Sequence, residues 1–395
     1  MSQAVDYAAM WSTVAQSHMR KEPVMRTLRY VGLDVHAASI AIAVAEADRG
    51  EVRSVGTIPN TPDALRAAVR KVGPAATLQI CYEAGPTGYT TYWQLASWGY
   101  PCVVAAPSLV PVRAGDRVKT DRRDALKLAR ALRAGEVTPV WVPSAAQEAL
   151  RELVRAREAA VGDQTRARQR VRHLLLRHGV PRPAGVRAWS TRYLAWLRGR
   201  QFADAATTAV FVDHLQEVEH AAARVAQLEQ ALETAIAAAP PALQTMIAAL
   251  QALRGVARVA AATIVAEVGS LTRFARARQL MGYAGCGVCE TSSGARIRRH
   301  GLTKTGNAHL RRIIMEAAHA ARFRPAVGLT LKRRQAGLSP AVIAIAWQAQ
   351  QRLAHRHRAL LARGKPHGQV IAAVGRELLG FVWAIGQQVA AETAA

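Results

Sequence analysis

The apolar pattern of this chain changes character once, at Ser144, and that change constrains the fold more than any single motif. Before it, residues 27–142 alternate short apolar runs with helix-period stretches. Strand-like runs fall near 28–35, 38–45, 51–58, 77–83 and 101–105, with a further one near 138–142. Helix-like stretches fall near 61–72, 88–98, 107–114 and 121–135. Three early strands followed by alternating helices and strands predict an α/β domain. After Ser144 the spacing is helical. Residues 145–178 read as one Arg-rich amphipathic helix, and residues 202–238 as a second with Val210, Leu215, Val218, Ala222, Val225, Leu228, Leu232 and Ile236 at near-heptad spacing. The pair predicts an antiparallel helical hairpin or coiled coil that could also serve as a dimerisation arm. Pro240-Pro241 ends it. The expected organisation is an extension (1–26), an α/β domain (27–143), a helical or coiled-coil domain (144–241) and a mainly α C-terminal domain (242–395).

Four acids stand out because the chain is poor in acid, with 27 Asp+Glu against 53 Lys+Arg. Asp34 sits in the first strand-like run, Glu83 ends a later one, and Asp121 and Asp124 open a helix in Lys119-Thr-Asp-Arg-Arg-Asp-Ala. Carboxylates on two strands and on one helix face at i and i+3 can converge on a divalent cation. An all-oxygen donor set suits Mg²⁺, with Mn²⁺ as a substitute, and metal pairs serve phosphodiester chemistry. Each acid taken singly also reads as a helix cap or a solvated charge.

The net charge of +26 points to a polyanion, most plainly nucleic acid. It is uneven: residues 251–395 carry 22 basic and 5 acidic side chains, against 14 and 10 in 146–250. The last third is therefore expected to hold the main phosphate-contacting surface. The first 25 residues contain Asp6 and Glu22 and no sustained apolar core, so no signal peptide is expected. With no span-length apolar run read, the expectation is a cytoplasmic protein with no membrane partner. Cys286-x-x-Cys289 has no second Cys or His pair at finger spacing and reads as incidental thiols.

Two further segments carry chemistry. Leu253-Arg-Gly-Val-Ala-Arg resembles a helix-hairpin-helix turn, with Ala257 where a second Gly is usual. Residues 282–318 are rich in Gly and Arg, and Ser292-Ser293-Gly294 precedes Arg296, Arg298, Arg299 and Lys304. On side-chain chemistry alone this is a basic linker or phosphate-binding loop before it is a nucleophile loop. Arg311 and Arg312 in the same segment, with Arg166 and Arg170 on the first long helix, complete the candidate nucleic-acid contacts.

Taken together and in order, the Leu-Asp-Val-His start, the Glu83 strand, Lys-Thr-Asp-Arg-Arg-Asp-Ala and Ser-Ser-Gly…Gly-Leu-Thr-Lys-Thr-Gly-Asn…Leu-Arg resemble the DEDD transposases of bacterial insertion sequences, the IS110 group, over roughly residues 27–385. The resemblance implies a RuvC-like, RNase H-type α/β domain whose four acids correspond to Asp34, Glu83, Asp121 and Asp124. It implies a C-terminal transposase domain whose catalytic serine corresponds to Ser293, with Ser292 the next candidate. It further implies a structured bridge RNA that pairs with donor and target DNA, and a homo-oligomer, dimer or tetramer, in which the two domains of different subunits meet. The expected function is a DNA recombinase that moves an insertion sequence and associates with the nucleoid when active. The alternatives are a RuvC-like structure-selective endonuclease, which would dispense with Ser293, and a non-catalytic nucleic-acid-binding protein. The sequence departs from the family pattern at Gln169-Arg170, at Ala257 and at Cys286-Gly-Val-Cys289.

Overall fold

Strand β2 (Ser39–Glu46) reads Ser-Ile-Ala-Ile-Ala-Val-Ala-Glu, and its strict alternation assigns its two faces different tasks. Ile40, Ile42 and Val44 enter one core with Leu65, Val69, Ile80, Tyr82 and Leu95. Ala41, Ala43 and Ala45 enter another, formed with Ala125 and Ala129 of the helix Asp121–Arg133. The bulky face takes the larger layer, and the alanine face lets one helix backbone lie close.

The structure is a computed structural model that describes residues 28–48, 50–111, 120–294, 296 and 298–394. The expected extension (1–26) and residues 112–114 of the helix read near 107–114 lie outside them. Residues 107–109 form a single 3₁₀ turn. The chain divides into two compact units, Met1–Val142 and Pro143–Ala395.

In the first unit β1 (Arg29–Val35), β2, β3 (Arg53–Pro59), β4 (Leu78–Glu83) and β5 (Cys102–Ala105) form a sheet of order β3-β2-β1-β4-β5. The first three make an antiparallel meander, and β4 and β5 run parallel to β1. Helices α1 (Pro62–Val72) and α2 (Thr90–Ser97) supply the connections. Helix α3 (Asp121–Arg133), capped by the Thr120 side chain on the Arg123 N–H, packs on β1, β2 and β4. Residues 138–142 do not form the strand expected there. Pro139 makes an isolated bridge with Ala105, flanked by bonds from Ala106 N to Thr138 O and from Val140 N to Val104 O.

The second unit is helical apart from one hairpin. Helix α4 (Ala145–Arg177) opens with a capping box between Ser144 and Gln147, which is why the pattern changes at Ser144. After α5 (Thr191–Arg198), helix α6 (Ala205–Ala238) returns antiparallel to α4, since Arg157 pairs with Glu229 and Asp163 with Arg224. The expected seam position Val210 is 46% exposed, and its neighbour Phe211 is the buried one at 1%. Phe211 belongs to a small separate core at the far end of the hairpin, with Val171, Leu174, Tyr193 and Leu197. Phe211 shares that cluster with the expected seam positions Leu215 and Val218, four and seven residues on, so the seam holds and its first position shifts by one residue.

Helices α7 (Pro241–Leu250), α8 (Arg258–Val268), α9 (Ala277–Tyr283), α10 (Ala308–Ala318), α11 (Leu329–Gln335), α12 (Pro340–Ala362) and α13 (His367–Ala394) complete the unit, with the hairpin β6 (Val288–Glu290) and β7 (Arg299–Leu302) between α9 and α10. Contrary to the sequence reading, α13 is long and apolar enough to cross a membrane by length and composition. It is a core helix instead: Val370, Val374, Leu378, Val382 and Ile385 are buried among α7, α9, α10 and α12. Between α7 and α8, Gly255 takes φ +90°, and a Cβ there would stand 2.3 Å from the Ala317 carbonyl oxygen. The glycine of the hairpin-like turn is thus required for close packing against α10.

Candidate functional site

Gly32 explains how acids from distant parts of the sequence meet. A Cβ at this position in β1 would lie 2.3 Å from the Ala125 carbonyl oxygen and 2.4 Å from the Ala129 nitrogen, so β1 and α3 touch backbone to backbone. Two residues further along β1 is Asp34, and one turn back along α3 are Asp121 and Asp124. The register of β1 against β4 ends at Leu33 opposite Tyr82, so the residues that follow are Asp34 and Glu83. Four acids from three elements therefore reach one end of the sheet.

They do not converge equally. The ligating atoms of Asp34, His36 and Asp121 lie within 4.8 Å of one another. His36 Nε2 is 3.2 Å from Asp34 Oδ2 and 3.5 Å from Asp121 Oδ1. Glu83, exposed at the end of β4, and Asp124 stand outside this group of three. Burial pushes the Asp34 carboxyl above its ordinary value. The His36 ring opposes this, and the charges of Asp121 and Asp124 push the same way as burial. A carboxylate in this setting gains from any cation that neutralises it. Two carboxylates and an imidazole are a donor set that fits a divalent cation such as Mg²⁺ or Mn²⁺, with the imidazole better suited to Mn²⁺.

His36 is the member that sequence reasoning missed. The signal was present as Asp-x-His, since alternate residues of an extended chain share a face. The turn that holds His36 is fixed by His36 N on Ser39 O and by Asn60 Nδ2 on the His36 carbonyl, 2.8 Å.

Ser293 lies in the second unit, at the tip of the β6–β7 hairpin. Its backbone exchanges hydrogen bonds with Arg296, N to O at 3.2 and 3.1 Å, around Gly294 at φ +56°. Ser293 is exposed. The Ser292 hydroxyl instead donates to Glu290 Oε1 at 2.8 Å. Below the tip, Thr291 Oγ1 meets His300 Nε2 at 2.5 Å.

The hairpin springs from a rigid base. Asn307 N bonds Tyr283 O at 2.8 Å, and Asn307 Oδ1 caps α10 through Leu310 N. Its Nδ2 donates to Glu267 Oε2 at 2.7 Å. Glu267 is fully buried and accepts two further bonds from Arg155, 2.7 and 2.9 Å, while its carbonyl accepts from the Tyr283 hydroxyl at 2.7 Å. Gly306 takes φ +128°, and a Cβ there would lie 2.4 Å from Tyr283 O. The Gly-Asn of Lys-Thr-Gly-Asn is thus structural: it fastens the strand that returns from Ser293 onto α4 and α8.

Residues 31–179 match a family model described as Transposase, of the DEDD type in the IS110 group, and residues 247–332 match one described as Transposase IS116/IS110/IS902 family. The Sinorhizobium fredii protein y4qE, named as a transposase, is 44% identical over 91% of this chain and 88% of its own length. The transposase for insertion sequence element IS1533 of Leptospira borgpetersenii is 28% identical over 86% of this chain and 99% of its own.

The chain belongs to the IS110/IS116 family of transposases.

As a transposase it cuts and rejoins DNA, and its acid cluster falls inside the DEDD-type match, a domain type that goes with divalent metal use. Of the basic residues read as nucleic-acid contacts, Arg296, Arg298 and Lys304 are exposed around the hairpin, and the Arg299 side chain lies outside the described residues. Arg170 is exposed on α4, and Arg166 beside it pairs with Asp163 at the surface. Arg311 and Arg312 have partners within the transposase. Arg311 Nη1 donates to the Ala284 carbonyl at 3.0 Å, and Arg312 pairs with Glu158 at 2.5 Å and Glu316 at 2.6 Å. They stitch α10 to its neighbours. Cys286 is buried with its Sγ 3.8 Å from Ala284 O, and it joins no metal-ligand group among the described residues.

Proposed function

We propose that this transposase is a serine-dependent DNA recombinase in which Asp34, Asp121 and His36, with Glu83 and Asp124 at the rim, hold Mg²⁺. The observation that carries this reading is the approach of the ligating atoms of Asp34, His36 and Asp121 to within 4.8 Å of one another, inside the region matched to the DEDD transposases. The sheet order β3-β2-β1-β4-β5, with acids at the ends of β1 and β4 and the start of α3, supports assigning the domain to the RNase H-like, RuvC-like class. When bound, the ion would polarise the scissile phosphate and stabilise the departing oxygen.

Ser293 is the nucleophile in this reading. Its Oγ attacks phosphorus, the bond from phosphorus to the DNA leaving oxygen breaks, and that oxygen takes up a proton as the serine loses one. The phosphoserine bond conserves the energy of the phosphodiester, so the freed hydroxyl of an exchanged strand reverses the step without ATP. Both serines are exposed, and the hydrogen bond from the Ser292 hydroxyl to Glu290 favours Ser293 as the nucleophile. Arg296, Arg298 and Lys304 neutralise the phosphate as it is attacked. Donor and target DNA are selected by a structured bridge RNA, the protein acts as a dimer or tetramer on the bacterial nucleoid, and the α4–α6 pair serves as a coiled coil. These assignments follow the family resemblance.

The test is a denaturing gel. Protein, Mg²⁺, element-junction DNA and RNA transcribed from the element's non-coding end yield a covalent protein–DNA adduct with wild type and none with Ser293→Ala. Strand cleavage without an adduct, insensitive to that substitution, would instead mean a water-activating nuclease.

A further inference from the structure

The middle of the chain hides a sharp segregation of charge. Residues 164–203 contain ten Arg and no Asp or Glu, whereas the rest of residues 146–250 holds four Arg against ten acids. In the structure this acid-free stretch is the far end of the α4–α6 hairpin: the last turns of α4, the loop to α5, and α5 itself. Nine of the ten Arg are exposed, all but Arg168; of these Arg166 pairs with Asp163 and Arg198 with Glu219, which leaves Arg170, Arg172, Arg177, Arg182, Arg187, Arg192 and Arg200.

The basic residues lie among aromatic rings. Tyr193 and Trp196 are stacked, with centroids 5.5 Å apart and planes 16° from parallel, and the Arg200 guanidinium lies 4.6 Å from the Trp196 centroid. Trp189 meets Tyr193 edge-on, and the Arg168 guanidinium lies 5.3 Å from the Trp189 centroid. Trp189 holds φ +61°, a conformation a bulky residue adopts only when its surroundings enforce it. The Arg168 Nε is buried with no hydrogen-bond partner. A guanidinium that is partly desolvated, set against a ring and given no carboxylate is prepared for an anion from outside.

We propose that this distal end is a binding site for nucleic acid with unpaired bases, in which Arg168 and Arg200 grip phosphates and the half-buried Trp189 and Trp196, backed by the buried Tyr193, receive a base. A second copy of the same surface is a poorer partner, because the ten Arg of this stretch outnumber the four acids at the start of α6, Asp204, Asp213, Glu217 and Glu219, of which Glu219 already pairs with Arg198. A plain duplex would use the charge and leave the rings idle, while unstacked bases use both. The site extends the transposase reading only in supposing a nucleic-acid partner, and needs neither the carboxylates nor Ser293.

The experiment is fluorescence anisotropy on the full chain in EDTA with three labelled probes of equal length: single-stranded RNA, single-stranded DNA and blunt duplex DNA. Trp196→Leu is expected to weaken at least one single-stranded probe about tenfold and to spare the duplex, while Trp196→Phe, which keeps a ring, binds like wild type. The Arg168→Gln/Arg200→Gln pair should lower the salt slope on the single strand by about 1.4, two phosphate contacts' worth. Comparing the RNA and DNA arms identifies which strand the site takes. Unchanged single-strand affinity in both Trp196→Leu and the Arg pair, or equal loss on duplex and single strand in Trp196→Leu, would overturn the proposal. So would sedimentation showing that these variants instead change the subunit number. EDTA stops any metal-dependent cutting, so a null here leaves the adduct experiment untouched, and the reverse.

Discussion

Glu267 and Asp34 are both carboxylates taken out of water, and their surroundings treat them oppositely. Burial pushes Glu267 up, but hydrogen bonds from Arg155 and Asn307 and the charges of Arg155 and Arg151 outweigh burial and hold it below the ordinary value. Burial pushes Asp34 up as well, and there the neighbours Asp121 and Asp124 add to the effect, with only His36 in opposition. One acid has its cations built in and serves as a strut. The other is packed beside acids, and among the described residues the His36 ring alone opposes its burial. Where a protein leaves such a charge unanswered, the partner comes from outside.

Breaking the satisfied side should have the largest effect. Arg155→Leu leaves Glu267 buried and short of its main partner, and is expected to cost roughly 3–5 kcal/mol in denaturant unfolding. Arg168→Leu on the same helix removes a guanidinium with no carboxylate partner and should stay within about 0.5 kcal/mol. Equal losses would erase the distinction between structural and ligand-directed arginines.

Next comes the contact that gathers the unsatisfied side. Gly32→Ala must push α3 off β1, at roughly 1–3 kcal/mol, and should lower divalent-cation affinity although no ligand is altered. Retained affinity would show that the close approach does not set the site.

Asp34→Asn should act with the opposite sign on stability. By removing a disfavoured charge it is expected to raise the metal-free melting temperature by about 1–2 °C, while abolishing any Mn²⁺-induced rise. A fall without metal would mean the carboxylate is already satisfied.

The smallest effect is in pH. Glu267 has a lowered folded value, so its contribution is present above its ordinary 4.5 and is lost as pH falls through the lowered value. Asp34 has a raised folded value, so its contribution is present below its ordinary 3.8 and is lost as pH rises through the raised one. Hydrogen exchange in metal-free protein should therefore show α8 losing protection on acidification below about pH 4.5 while β1 is spared or gains. Parallel loss in both would remove the contrast.

The sheet was legible because alternation is local: Ser39–Glu46 states both of its faces in eight residues. The strand near 138–142 was over-read because an apolar run does not say how many ladder bonds it will find. Phe211 against Val210 was missed because both are apolar neighbours at the start of the helix, and only the cluster at the hairpin's far end, shared with Leu215 and Val218, selects the one four residues before Leu215. The four acids were legible from order and residue type. His36 was not singled out, and the Glu267–Arg155–Asn307 network joins residues up to 152 positions apart, which no spacing rule reaches. Charge counted in thirds also averaged away the acid-free stretch 164–203.

The most direct measurement is isothermal calorimetry of Mn²⁺ on the EDTA-stripped full chain, comparing wild type with Asp34→Asn, Asp121→Asn and Ser293→Ala. The expected result is binding by wild type and by Ser293→Ala alike, and weakening of at least about tenfold in each Asp variant. Equal affinity in all four proteins would contradict a cation site built from Asp34 and Asp121.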